Sequence, residues 1–315
     1  MLNANRPQLW KADIAASVDL YNRWFLQFAP ATFRSRRAGA VADVTRDMLA
    51  TKDLTDISAG SLLSNPAALP VLRMCCCPPI ARERLAGLAG VSTQLVKSLE
   101  AGKVPRKMAA AALHQRLTKL ADVLTSLLDV DFFPWLPAGT AVTATDRDRA
   151  ASVVADRLCG SLSDPIIRNA QEQRQLDEMV AYLTGKGYVK HQPAAKTPLT
   201  QMLPGTFAVR MVVATGQGKV VNVPIDVVVQ PAVPRPTKLP VLFELKSAGD
   251  FTNVNKRRKE EAKKMGQLKA HLGPGVEYIL FLCGYFNAGY LGYEAAEGID
   301  RVWEHRISDL DALGL

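Results

Sequence analysis

The sequence contains no uninterrupted apolar run of about 18 residues or more, so a membrane-spanning helix is not expected. Its opening residues, Met1-Leu2-Asn3-Ala4-Asn5-Arg6-Pro7, lack the charged-then-apolar pattern of a secretory signal. Both absences point to a cytoplasmic protein. Cysteine is scarce: Cys75, Cys76, Cys77, Cys159 and Cys283 are odd in number and include no second pair at zinc-ligand spacing. Reduced and mostly buried thiols are expected. Internal repeats and low-complexity tracts are also missing, which excludes solenoid and fibrous architectures.

What is present suits a globular chain. Its 315 residues are enough for one large or two ordinary domains, and a hydrophobic fraction of 48% argues against wholesale disorder. The net charge of +9 favours an anionic partner, either nucleic acid or an acidic membrane surface.

Residues 1–145 read as mainly helical. Trp10, Ile14, Val18, Tyr21 and Phe25 recur at helical spacing over 9–30, with Pro30 expected to end that helix. A second helix is expected over 40–49, a turn-rich stretch around Pro66, Pro70, Pro78 and Pro79, a long helix over 106–128 and a connection over 131–145. Within this half, 81–101 has the form of a helix-turn-helix. Gly90 ends the first helix, Ser92 caps the second, and Leu95, Val96 and Leu99 form its buried stripe. Thr93, Gln94 and Lys97 are then placed to reach bases or phosphates, unless the unit is only a packed helix pair. The region is a candidate for DNA recognition or dimerisation.

Residues 146–315 change to mixed helix and strand. A helix is expected to start at Asp164-Pro165 and close at Gly185 and Gly187, with Leu176, Met179, Val180 and Leu183 as its apolar stripe. Glu172, four residues before Leu176, is expected on the inward face, and Asp177 towards water. A hairpin follows, 207–213 and 220–229 around Gly216-Gln217-Gly218, then a strand over 241–246, a basic helix over 254–272 and a buried strand over 278–283.

Chemistry concentrates in this second half. Val223-Pro224-Ile225-Asp226 and Phe243-Glu244-Leu245-Lys246 are apolar strands that carry two acids and a lysine. Strand alternation puts Glu244 and Lys246 on one face. Charges in such strands are costly unless they are ion-paired or hold a metal, and the pattern alone allows either. Phosphodiester hydrolysis needs charge neutralisation, a deprotonated water and a stabilised leaving oxygen, which one or two divalent ions held by carboxylates can supply. Asp226 and Glu244 are the candidate ligands. Lys246 is placed to lower the pKa of the attacking water and stabilise the transition state, and Glu172 to add a ligand or orient that water. The alternatives are an internal ion pair for Lys246 and a surface pair with Arg168 for Glu172.

These residues resemble the signature of the PD-(D/E)xK nucleases, with Ile225 inserted between the proline and Asp226. The run 164–172, Glu244-Leu245-Lys246-Ser247-Ala248-Gly249-Asp250 and Trp303-Glu304-His305-Arg306 further resembles the XamI-like restriction endonucleases, a similarity that extends over nearly the whole chain. The resemblance implies an α+β chain whose C-terminal nuclease core is a mixed sheet flanked by helices. It also implies a Mg2+-dependent, type II, site-specific deoxyribonuclease acting on double-stranded DNA, with Mn2+ able to substitute. A homodimer and a companion DNA methyltransferase acting on the same site are implied as well, without a stable complex between the two enzymes.

The basic helix supplies candidate phosphate contacts: Lys256, Arg257, Arg258, Lys259, Lys263 and Lys264. Ser247, Asn253 and Asn255 are polar residues that could approach DNA, and His305 beside Glu304 is expected to be structural. Two other functions fit parts of the pattern: a repair or junction-resolving nuclease of the same fold, and a non-catalytic helix-turn-helix regulator. The intact acid–lysine set argues against the regulator.

Overall fold

A computed structural model describes residues 2–315 except 194–197, 217–220, 234–238 and 253; the side chains of 164 and 254–257 are not described either. The chain packs into two compact units, one formed by 2–28 with 167–315 and the other by 29–166. The sequence reading instead divides the chain at 145/146. No helix among the described residues is long and apolar enough to cross a membrane.

Two helices are longer than their sequences suggest. α1 (Pro7–Ala50) continues through Pro30 instead of ending there, and takes in the expected helix over 40–49. α8 (Ala144–Gly185) continues through Pro165, so the Asp164-Pro165 start is not used and the helix begins inside the predicted connection. An interior proline costs about 3 kcal/mol through one lost hydrogen bond and a clash. Buried residues on both sides of each proline offset that cost: Tyr21 and Val44 in α1, Val154 and Met179 in α8.

The unit 29–166 is helical. Between α1 and α8 lie α2 (Ala59–Ser64), α3 (Leu69–Met74), α4 (Arg82–Ala89), α5 (Thr93–Glu100), α6 (Ala110–Ser126) and α7 (Trp135–Ala138). The expected turn-rich stretch therefore contains short helices, with Pro66 and Pro70 in first turns, where proline has no bond to lose. The helix-turn-helix forms as its residues suggest. Gly90 takes the left-handed conformation after α4, and the Ser92 hydroxyl accepts the Leu95 amide at the start of α5. Leu95, Val96 and Leu99 are buried, and Glu100 is pinned by Arg82 and by Arg73 at 2.7 Å. Cys75, Cys76 and Cys159 are buried free thiols here, and Cys77 is exposed.

The other unit is built on one six-stranded sheet in chain order: β1 (Val189–Lys190), β2 (Thr206–Thr215), β3 (Val221–Gln230), β4 (Val241–Ala248), β5 (Glu277–Gly284) and β6 (Asp300–Trp303). β2, β3 and β4 are antiparallel neighbours, and β4, β5 and β6 run parallel. The β4–β5 crossover is α9 (Val254–Leu272), the basic helix; α10 (Ala288–Ala296) follows β5. One sheet face packs Phe207, Val227, Phe243 and Phe281 against Leu176, Met179 and Leu183 of α8. The other packs Leu242, Leu280 and Trp303 with Met265 and Leu268 of α9 and Leu291 of α10. Helices therefore cover both faces, which is why β4 and β5 are apolar almost throughout.

The sheet has one coordinated irregularity. The β2–β3 rungs pass from Val209↔Val227 to Met211↔Ile225, omitting Arg210 and Asp226. Arg210 has φ 51°, a left-handed conformation that a non-glycine residue rarely adopts. Both strands exchange faces at this point: Phe207, Val227 and Val229 belong to the α8 side, Met211, Val213, Val223 and Ile225 to the α9 side. Ile225, the residue inserted in the nuclease signature, is fully buried in the α9-side core.

Candidate active site

The site forms where β3 and β4 part. Their ladder has three rungs and ends at Val227↔Phe243, one residue short of Asp226 and Glu244. The Leu245 amide donates to Asp226 Oδ2 at 2.8 Å instead of to the β3 backbone. A buried amide needs an acceptor, so this carboxylate both closes the ladder and is held in place by it. A cleft of about 220 Å³ opens here, with Arg168, Glu172 and Gln175 of α8 facing Asp226, Glu244, Lys246 and Ser247.

The charges are tightly coupled. Burial, then the Glu244 charge, pushes the Asp226 carboxyl up to about 6; the Leu245 amide, Lys246 and Lys264 limit the rise. Glu244 is 4% exposed, and its Oε1 receives Lys246 at 2.8 Å and also Lys264. Its Oε2 is buried with no hydrogen-bond partner. Lys246 also lies 3.0 Å from Oε1 of Glu261, whose Oε2 accepts the Tyr278 hydroxyl at 2.6 Å. Burial alone would lower the Lys246 pKa, but Glu261 and Glu244 together outweigh it and hold the ammonium charged. Nearby, burial and then the Glu261 charge push the Glu294 carboxyl up to about 8.

Asp226, Glu244 and Lys246 thus come together as their sequence pattern suggests. Glu172 reaches the cleft but not from an inward face. Its side chain is 50% exposed and lies 3.5 Å from Arg210, while the inward positions one turn apart are Gln171 and Gln175. Glu172 sits on the exposed flank of the stripe, and the ion pair is with Arg210 rather than Arg168. Among the described residues no three of His, Cys, Asp and Glu stand together as a ready-made metal cluster. A three-carboxylate ligand set is therefore not preformed. Two carboxylates, one with an orphaned buried oxygen, do fit a hard divalent ion that fills its shell with water and substrate phosphate.

The candidate DNA contacts divide. Thr93, Gln94 and Lys97 are exposed on α5, and Lys259 and Lys263 on α9. Arg258 stacks over the Tyr293 ring at 3.7 Å, and Ser247 lines the cleft. Lys264 is turned to Glu244 instead of outward, a correction that places it at the site's acid. Asn253 and the side chains of Asn255, Lys256 and Arg257 lie outside the described residues. His305 is half-buried 3.5 Å from Asp13, and Glu304 pairs with Arg174, both structural arrangements.

Sequence reasoning missed Glu261, Tyr278 and Gln175. For Glu261 a signal existed: Glu261, Met265 and Leu268 are spaced by four and three, one stripe of α9. The lysines and arginines around Glu261 hide that stripe.

A sequence model of the family described as XamI restriction endonuclease matches residues 52–303. The chain belongs to the XamI restriction endonuclease family. It is also 50% identical over 314 residues to the type II restriction enzyme SalI of Streptomyces albus G, with 100% of both chains covered. No solved structure matches. Family membership makes this protein a type II restriction endonuclease, a site-specific deoxyribonuclease with DNA as substrate, as its residues led one to expect. Enzymes of this class generally use a divalent metal ion.

Proposed function

We propose that this restriction endonuclease hydrolyses both strands of its DNA site with Mg2+ held by Asp226 and Glu244, and with Lys246 as the catalytic cation. The observation that carries the reading is the buried, unpartnered Oε2 of Glu244 beside Asp226, whose carboxyl is pushed up to about 6. Two crowded acids at the parting of two strands are costly in a structural role and suited to a divalent cation. When bound, that ion supplies charge neutralisation at the phosphate and a more acidic water.

The chain's own residues do the rest. The Leu245 amide keeps one Asp226 oxygen fixed and leaves the other free for the cation. Lys246, charged and about a quarter exposed, orients the attacking water and stabilises charge on the phosphorane oxygens. As the water loses a proton to bulk solvent and its oxygen bonds to phosphorus, the bond to the leaving deoxyribose oxygen breaks and that oxygen takes up a proton from solvent. Glu172, at the cleft mouth, orients water or adds a ligand after releasing Arg210. Mn2+ is expected to replace Mg2+, and one or two ions per site are compatible with two carboxylates.

Exposed Lys259 and Lys263, with the Lys256–Arg257–Arg258 run that precedes them in sequence, carry phosphate contacts; Ser247, in the cleft lining, and Asn253 and Asn255 are further contacts. Thr93, Gln94 and Lys97 of the helix-turn-helix add contacts of their own. A homodimer presents two equivalent sites to a symmetric target, and a companion methyltransferase protects host copies of that target. The deciding experiment is digestion of a sequenced plasmid with Mg2+ and with EDTA, followed by end mapping. Discrete, metal-dependent ends are expected; random ends, or cutting in EDTA, would overturn the proposal.

A further inference from the structure

We propose that Glu261 is a positioning residue for cleavage, acting on DNA only through Lys246, and this rests on the reading of Lys246 as the catalytic cation. Glu261 is fully buried on α9, in one stripe with the apolar Met265 and Leu268. A carboxylate in such a stripe is destabilising relative to an apolar residue unless its charge is paired. Its Oε2 accepts the Tyr278 hydroxyl at 2.6 Å, and its Oε1, buried without a hydrogen bond, is held by the Lys246 charge at 3.0 Å. Tyr278, on β5, is itself 2% exposed, so the carboxylate is held between that strand and Lys246 on the α9 face of the sheet.

Burial bars Glu261 from any phosphate, and it does not line the cleft. Its effect must therefore pass through Lys246. That side chain has four rotatable methylenes, and it is held on the cleft side by Glu244 at 2.8 Å and on the inner side by Glu261. Glu244 also serves the cation, so its hold on Nζ weakens once the site is loaded. Glu261 is then the carboxylate that keeps the ammonium in register with the scissile phosphate, where small displacements cost much rate.

The test uses full-length Glu261→Gln, Glu261→Asp and Tyr278→Phe, with Lys246→Arg alone and combined with Glu261→Gln. Thermal melts establish folding, DNA affinity is measured in Ca2+, and single-turnover rates are followed with Mg2+. Glu261→Gln should lower kcat by about 10- to 100-fold with KM and Ca2+-supported affinity unchanged. Glu261→Asp should recover part of the loss. The double variant should be no slower than Lys246→Arg alone, since both changes act on one group. If Glu261→Gln does not fold, Tyr278→Phe, which removes one hydrogen bond and no charge, should still lower kcat several-fold with KM unchanged. An unchanged kcat, a loss confined to KM or affinity, or losses that multiply with Lys246→Arg would overturn the inference. If Lys246→Ala cuts at the normal rate, the catalytic reading of Lys246 fails instead; if Lys246→Ala is inactive and Glu261→Gln is normal, only this inference fails.

Discussion

Replacing Asp226 by asparagine should make the metal-free enzyme more stable while abolishing cleavage. Asp226 has its carboxyl raised from an ordinary 3.8 to about 6, by burial first and by Glu244 second. Between these two values the native state holds a proton that the unfolded chain has released, so stability falls as pH rises from about 4 through 6. At about 1.4 kcal/mol per pH unit the full effect above pH 7 is about 3 kcal/mol, and solvent screening in the open cleft reduces it to roughly 1–2 kcal/mol. Asparagine keeps an oxygen for the Leu245 amide and removes the charge. In urea titrations without metal at pH 8, Asp226→Asn should unfold at higher denaturant than the native enzyme, and the gap should close near pH 4. Mg2+ should stabilise the native enzyme, by binding only the folded state, and leave the variant unmoved. A variant equal to or less stable than the native enzyme at pH 8 without metal would refute the reasoning.

Lys246→Ala should lose Mg2+-dependent cutting in a plasmid digest while retaining most DNA affinity in Ca2+; near-normal cutting would remove Lys246 from the mechanism. Alanine at Lys259 and Lys263 should flatten the dependence of log affinity on log salt by about 0.9 for each phosphate no longer neutralised, and an unchanged slope would take exposed α9 out of the interface. Glu100→Gln should destabilise the unit 29–166 by about 2–4 kcal/mol in denaturant unfolding, because Arg73 and Arg82 lose their shared acid. Gly284→Ala should severely impair folding, read as loss of soluble yield and of a cooperative melt. Its φ is 98°, and an added Cβ would stand 2.1 Å from the Ala248 carbonyl oxygen at the end of β4.

The parts of the fold legible in sequence were those governed by local pattern. β-branched runs marked the hairpin and the buried strands, glycine and serine marked the helix-turn-helix, and α9 begins and ends where its composition suggests. Pro30 and Pro165 misled because tertiary burial on both sides of a proline outweighs its local cost, and a linear pattern does not show that burial. Asp226, Glu244 and Lys246 were legible because charge in an apolar strand is conspicuous. Glu172 lies on the exposed flank and not on the expected inward face, because a helical stripe about 100° wide leaves its edge positions ambiguous. Glu261 is hidden among the lysines of α9 because its partners, Lys246 and Tyr278, lie on β4 and β5.

The face exchange at Arg210 and Asp226 divides the hairpin into two zones with different tolerance to substitution. Towards the tip, Met211, Val213, Val223 and Ile225 are buried while Val212, Ala214, Asn222 and Pro224 are exposed; from Val227 to Gln230 every side chain is covered. A saturation scan should therefore show alternating permissive and forbidden positions up to Ile225 and an unbroken forbidden block after Asp226. Random mutation can remodel the exposed alternate positions of the outer hairpin, whereas the segment behind the acid accepts almost none. Tolerance to substitution thus ends where Asp226 enters the cleft.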